Sequence, residues 1–230
     1  SGRITLDGTD LGALGRHERR RMIGARTAII PQDPLSALNP CRRVGPQVTD
    51  RLVHILGWNR ARAEARALEL FNEVSIRAPE RVLRAYPHEL SGGMRQRVLI
   101  AAAFAAEPEL IIADEPTTAL DVTVQRQILR LIADMQARHG TALLFVTHDM
   151  GVVAKICQSV SVLFAGTVVS QTPVEALFAG DGGHPYARAL IQATPRYDAP
   201  DESLLPVPPA IIEGLRQDIA AADAAWAGGH

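Results

Sequence analysis

The sequence predicts an α/β protein built on a parallel sheet, with a helical region inserted between its strands. Three observations carry that prediction. Residues 110–113 and 142–146 are short, continuous apolar runs of strand length without alternation, the pattern of strands buried on both faces. Between them, residues 122–138 repeat apolar positions at helical spacing and stop at Gly140, so strand, helix and strand follow in the order of a parallel crossover. From Val44 to Arg84 the periodicity is helical again, with Leu52, Ile55 and Leu56, then Ala65, Leu68, Phe71 and Val74, set among arginine and glutamate.

The remaining elements follow in order. Residues 3–6 alternate polar and apolar and run into Asp7-Gly8, a turn dipeptide, which predicts a hairpin-like start. Arg16, Arg19, Arg20, Arg21 and Arg26 crowd the next segment, and residues 27–30 form a short apolar run ended by Pro31, read as a buried strand. Beyond the crossover, residues 160–164 and 167–170 flank Ala165-Gly166 and predict further strands, and residues 185–193 predict a helix. After Thr194 the chain is rich in proline and acid. Pro195, Pro200, Pro206, Pro208 and Pro209 predict an extended tail, and residues 211–226 a helix with Ile211, Ile212, Leu215 and Ile219 on one face.

Composition narrows the function classes. With 230 residues, 47% hydrophobic and 21% charged, the chain can bury a substantial core as one domain with a subdomain. A formal net charge of −1 supplies no basic field to draw it to nucleic acid or lipid. The arginines of residues 16–26 have no interleaved aromatics for base stacking, so they read as a solvated helix face. Cys41 and Cys157 are far apart and lack a second thiol at metal-ligand spacing, which fits a reducing compartment. Every apolar run falls well short of the roughly 20 residues of a membrane span, so a membrane role is expected through partners.

The chemistry-bearing residues form a constellation. The strand of residues 110–113 ends in Asp114-Glu115, two adjacent carboxylates at the mouth of a parallel sheet, where one acid can hold magnesium and the other can polarise water. Such a pair is also how a chain caps its next helix. Ser91-Gly92-Gly93 offers a hydroxyl and two unhindered amides ahead of a helical run at residues 98–106, an arrangement that can bind phosphate or simply cap that helix. Gln32 follows the strand of residues 27–30, His148 follows that of residues 142–146, and Asp121 lies shortly beyond Glu115. Gln32 can sense magnesium or water, and His148 can hydrogen-bond a terminal phosphate. Each is singly a common loop residue; their joint order carries the weight.

That order, Gln32-Asp33-Pro34, then Leu90-Ser91-Gly92-Gly93-Met94-Arg95-Gln96-Arg97, then Asp114-Glu115-Pro116-Thr117-Thr118-Ala119-Leu120-Asp121, then Thr147-His148-Asp149, resembles the ATP-binding cassette family over residues 1–193. The resemblance implies a P-loop NTPase-like (RecA-like) parallel sheet core, a helical signature subdomain at about residues 40–106, and an extension over residues 194–230. It implies ATP and Mg2+ as ligands, Glu115 and His148 as catalytic residues, and Gln32, Ser91, Gly92, Gly93, Gln96, Asp114 and Asp121 at the nucleotide. Asp114 and Gln32 would face the magnesium. Pro31-Gln32-Asp33-Pro34, Tyr86-Pro87-His88-Glu89 and His184-Pro185-Tyr186 most resemble subunits of dipeptide, oligopeptide and nickel importers. The partners implied are a second ATPase subunit, transmembrane permease subunits and, indirectly, a solute-binding protein, with no nucleic acid. The implied location is peripheral, on the cytoplasmic face of the membrane.

The sequence departs from the family pattern in one respect. The family's Gly-x-x-x-x-Gly-Lys-Ser/Thr phosphate loop is absent from these residues, and Lys155, between Ala154 and Ile156, is the only lysine. In the family that loop lies upstream of the segment matching residues 1–8. Two expectations follow: a fragment of a normal importer ATPase, the favoured one, or a degenerate cassette that cannot bind ATP alone and only lends Ser91, Gly92 and Gly93 to a partner. A soluble ribosome- or DNA-associated cassette is a third, weaker reading, since such proteins pair two cassettes or carry long coiled coils. Many subunits of this branch carry a C-terminal cysteine cluster; this chain has no cysteine beyond Cys157, so no iron–sulfur cluster is expected.

Overall fold

The computed structural model describes residues 2–118, 121–180, 183–194 and 206–228. The chain divides into two compact units, Ser1–Val146 and Thr147–His230.

The first unit opens with an antiparallel pair, β1 (Thr5–Leu6) and β2 (Thr9–Asp10). Its turn residues Asp7 and Gly8 both have positive φ, 47° and 72°, as a two-residue type I′ hairpin requires. Helix α1 (Arg16–Arg26) buries none of its side chains, and Arg26 at its end is a clamp. Its guanidinium donates to both carboxylate oxygens of Glu109 at 2.6 Å and to Asp7 Oδ2 at 2.7 Å, tying hairpin, helix and the approach to the next strand together.

The sheet is three-stranded and parallel, in the order β3 (Thr27–Ile30), β4 (Leu110–Asp114), β5 (Ala142–Val146). This is the predicted α/β core. Its register sets Ile30 beside Ala113 and Ala113 beside Phe145. The two faces are unequal. Ala28, Ile30, Ile111 and Ala113 are buried, whereas Ile29 is 62%, Leu144 53% and Val146 46% exposed. Ile29, Ile112 and Leu144 stand in one registered row on that bare face. A parallel sheet normally has both faces covered.

Between β3 and β4 the chain forms the helical region the periodicity predicts: α2 (Pro34–Ala37), α3 (Val44–His54), α4 (Arg60–Glu73), α5 (Pro79–Arg84), a short 3-10 turn at Pro87–Glu89, and α6 (Gly92–Phe104). One detail of the predicted stripe shifts. Ala65 is exposed and Leu68 only half-buried; the buried face of α4 is Ala63, Ala67, Leu70 and Phe71, continued by Val74. Ala63 and Ala67 are too small to stand out in a hydrophobicity pattern, yet they are what allows a neighbouring helix to approach. Gly45 has a similar function on α3, where a Cβ would lie 2.9 Å from the Leu83 carbonyl oxygen. Helix α7 (Val122–His139) crosses from β4 to β5 and ends at Gly140, which has φ 63°. Its Ile128, Ile132 and Met135 share one core with Val98, Ile100 and Phe104 of α6 and with the covered sheet face.

The second unit holds α8 (Met150–Ile156), the antiparallel pair β6 (Ser159–Phe164) and β7 (Thr167–Pro173), α9 (Val174–Ala179), α10 (Pro185–Gln192) and α11 (Pro209–Gly228). The strands predicted here are present, and they pair with each other as a two-stranded sheet. Met150, Val153, Val162, Val174, Leu177 and Ala187 form this unit's core. In α11, Leu215 is 5% exposed, on the predicted apolar face. Pro195 and Pro200 of the predicted extended tail lie outside the described residues, and Pro209 begins α11. Among the described residues no helix is long and apolar enough to cross a membrane.

Candidate functional site

Strand register builds the centre of the site. β3 and β4 run parallel with Ile30 beside Ala113, so Gln32 and Glu115, each two residues further on, emerge side by side at the carboxyl end of the sheet. There the Gln32 Nε2 donates to Glu115 Oε2 at 2.8 Å, and the Thr118 hydroxyl donates to the same oxygen at 3.0 Å. Asp114, the last residue of β4, is exposed next to them. The tertiary fold thus joins two motifs 83 residues apart in the chain.

The backbone of Glu115 is strained. Its φ is 41°, in the left-handed region uncommon for residues other than glycine, and the following Pro116 restricts it further. Hydrogen bonds hold the turn: the Glu115 N–H donates to the Val146 carbonyl at 2.9 Å, the Thr118 N–H to the Glu115 carbonyl at 3.2 Å, and Gln96 Nε2 to the Pro116 carbonyl at 2.8 Å. Strain of this kind persists where the surroundings over-determine it, and it gathers at functional sites.

The expected phosphate-facing turn opens α6. Ser91 is its N-cap and accepts from the Met94 N–H at 3.3 Å, so the capping reading of this serine is realised. Gly92 has nothing within 4 Å of where a Cβ would sit, and at Gly93 the nearest atom is Val124 Cγ1 of α7 at 3.8 Å. Packing within the chain therefore requires neither glycine. Asp121 caps α7, its Oδ1 accepting from the Thr123 and Val124 N–H groups at 3.0 and 2.9 Å. Ala119 and Leu120 lie outside the described residues. His148 is exposed and belongs to the second unit, two residues beyond β5 in the chain, and the neighbouring Asp149 caps α8.

Gln96 has a setting that its place in the sequence does not show. It is expected at the nucleotide, but its side chain is fully buried at 0% exposure, one turn into α6. It reaches the Pro116 carbonyl from inside the core. A carbonyl only accepts, so Nε2 must face it and Oε1 points away, where it is buried with no hydrogen-bond partner among the described residues. An orphaned buried acceptor costs about 1–3 kcal/mol. Thr118 was legible only as part of a motif string; nothing in its spacing marks it as a donor to Glu115.

The donor set suits magnesium held mainly by phosphate and water. Among the described residues no group of three His, Cys, Asp or Glu side chains could cage a metal. Mg2+ needs no such cage, since it keeps several waters and is bound through one or two carboxylates plus substrate phosphates. Asp114 offers the carboxylate, and the Gln32 amide, with Nε2 turned to Glu115, presents Oε1 as its acceptor.

The sheet end and helical turn belong to a cassette fold, and the comparisons with known proteins show the family. The family described as "ABC transporter" matches residues 1–118, and the chain belongs to that family. It is 49% identical over 219 residues to the probable peptide ABC transporter ATP-binding protein y4tR of Sinorhizobium fredii, covering 95% of this chain and 65% of that protein. It is 47% identical over 214 residues to the probable D,D-dipeptide transport ATP-binding protein DdpD of Escherichia coli, covering 93% of this chain and 65% of that one. The chain thus spans a little under two thirds of the length of these relatives. Among solved structures, the ATP-binding cassette MJ0796 bound to ADP and Pi aligns with a TM-score of 0.66 at 27% identity, over 76% of this chain and 74% of the other. The cassette cbiO1 of Clostridium perfringens aligns with a TM-score of 0.67 at 28% identity, over 78% and 68%. The fold is that of the ABC cassette, a P-loop NTPase core with a parallel sheet.

Proposed function

We propose that this chain supplies the hydrolytic carboxylate and the signature turn of an ATPase subunit in an ABC importer for peptides or a similar small solute. The observation that carries the reading is the convergence of Gln32 and Thr118 on the Glu115 carboxylate at the end of β4. The printed names of the relatives, peptide and D,D-dipeptide transport ATP-binding proteins, support the solute class.

In this reading Glu115 accepts the proton of the water that attacks the terminal phosphate, and the bond to the leaving ADP breaks; such a general base contributes about 10² to 10⁴ in rate. Gln32 and Thr118 fix the orientation of its carboxylate. Bound magnesium would neutralise phosphate charge, with Asp114 and Gln32 turned toward it. His148 hydrogen-bonds the terminal phosphate, Ser91, Gly92 and Gly93 meet a phosphate with hydroxyl and amides, and Asp121 lies at the rim beside that turn. Lys155 is not in a phosphate-loop pattern, so the half-site we propose works with the phosphate loop of a paired ATPase.

The organisation we propose is a cassette over residues 1–193 with residues 194–230 as an extension. A paired ATPase, permease subunits met through the neighbourhood of residues 42–58, and indirectly a solute-binding protein are the partners, at the cytoplasmic face of the membrane. Nucleic acid is not among them. The test mixes the purified chain with an intact cassette ATPase whose own signature serine is disabled. Recovery of hydrolysis that is lost again on Ser91→Arg supports a working half-site. No recovery, together with undiminished hydrolysis by a Glu115→Gln variant of the assembled ATPase, rejects the assignment.

A further inference from the structure

Among the described residues, Gln96 is the polar member of the set of largest fully buried side chains, otherwise phenylalanine, leucine, isoleucine and methionine. Its bond satisfies the Pro116 carbonyl but strands Oε1, so its net gain in stability over a leucine or methionine of similar volume is small. Its one hydrogen bond spans two functional segments. At one end is the first turn of α6, which carries Ser91, Gly92 and Gly93. At the other is the carbonyl of Pro116, the residue that follows the strained Glu115.

We propose that Gln96 is a positioning residue that links the turn of Ser91, Gly92 and Gly93 to the hydrolytic carboxylate. It does not touch nucleotide. It holds the Pro116 carbonyl, and through that peptide the left-handed backbone of Glu115, so that the carboxylate shared by Gln32 and Thr118 stays aimed. A ligand that moves the first turn of α6 moves the anchor of the Glu115 turn with it. Oε1, buried without a partner, leaves the amide fastened at one end only, so it can follow Pro116 without breaking a second bond. The inference rests on the reading of Glu115 as the general base, and it assigns Gln96 the regulation of that same site.

The test uses Gln96→Met, which keeps length and burial but cannot donate, and Gln96→Leu, which keeps an apolar volume and cannot donate either. Three measurements separate the possibilities. Thermal unfolding should change little in Gln96→Met, since one unsatisfied buried acceptor, Oε1, is exchanged for another, the carbonyl of buried Pro116. Hydrogen exchange at the Glu115 and Thr118 amides, both bonded within the turn, should accelerate about tenfold in either variant, with amides late in α6 unchanged. In the assembled ATPase, with a phosphate loop present, kcat should fall about tenfold or more while KM for ATP stays within about twofold. A merely structural glutamine would instead lower the unfolding temperature and leave kcat per folded molecule intact. Unchanged exchange at Glu115 and Thr118, or unchanged kcat, overturns the proposal. Glu115→Gln in the same assay tells the two failures apart. If it hydrolyses normally, the base assignment fails and exchange alone decides the link; if it is inactive while Gln96→Met is normal, only the link fails.

Discussion

The turn after β4 and the turn before α6 are both short, both polar and both carry residues proposed to act on nucleotide, yet they are built in opposite ways. Glu115 sits in a backbone conformation it would not choose, fixed by Gln32, Thr118, Gln96 and the Val146 carbonyl. Ser91 and its glycines are relaxed, held by one cap bond of 3.3 Å, with open space over Gly92. The difference teaches a division of labour. A group that must meet a developing charge benefits from being preorganised before substrate arrives. A turn that must accept a phosphate benefits from bare amides and nothing in front of them.

The comparison can be broken first at its rigid half. Glu115→Gln should reduce ATP hydrolysis by the assembled ATPase about 10² to 10⁴-fold while leaving ATP binding in place, as measured by single-turnover kinetics. Removing the packing beneath that half comes next. Ile111→Ala, at 0% exposure on the covered face of β4, should cost about 2–5 kcal/mol in denaturant unfolding, whereas Leu144→Ser on the bare face should change the stability of this chain by no more than about 0.5 kcal/mol. An equal loss at Leu144 would mean that face is not bare in solution.

The open half should respond in the other direction. Gly92→Ala meets no atom and no positive φ, so it should stabilise the chain by about 0.4–1 kcal/mol while weakening its support of hydrolysis by a signature-disabled partner. Destabilisation would show that the glycine is structural after all. The smallest effect concerns a brace between α4 and the end of α7, where Glu73 meets Arg138 at 3.1 Å and His139 at 3.0 Å. Burial opposes the Glu73 charge, but the hydrogen bonds and charges of His139 and Arg138 outweigh it and hold this carboxyl below its ordinary value of 4.5. A depressed acid contributes stability that is present above its unfolded pKa and is lost as pH falls through the folded one. The difference in unfolding temperature between the parent and Glu73→Gln should therefore be steady above about pH 5 and shrink on acidification below the usual glutamate range.

How far the sequence reached differs by element. Strands β3, β4 and β5 were legible because each is a continuous apolar run, and α7 because its apolar period ends at a glycine that can take positive φ. The buried stripe of α4 was misread by a few residues, since Ala63 and Ala67 carry little hydrophobic signal and owe their burial to a neighbouring helix. At the site, the residue types and order of Gln32, Ser91, Asp114, Glu115 and His148 stood out in the linear chain. That Gln32 donates to Glu115 depends on which strands are neighbours and in what register, a relation no local pattern encodes. Gln96 shows the limit best. As a letter beside the signature turn it reads as a ligand contact, and the fold buries it against the Pro116 carbonyl.

The sequence alone determined the order of strands and helices, the breaks at Pro31 and Gly140, and the set of groups able to handle phosphate and water, because periodicity, turn chemistry and functional groups are properties of short segments. The tertiary structure alone decided which carboxylate is braced, which amide is buried and which sheet face stays bare, because each depends on contacts between segments as many as 83 residues apart.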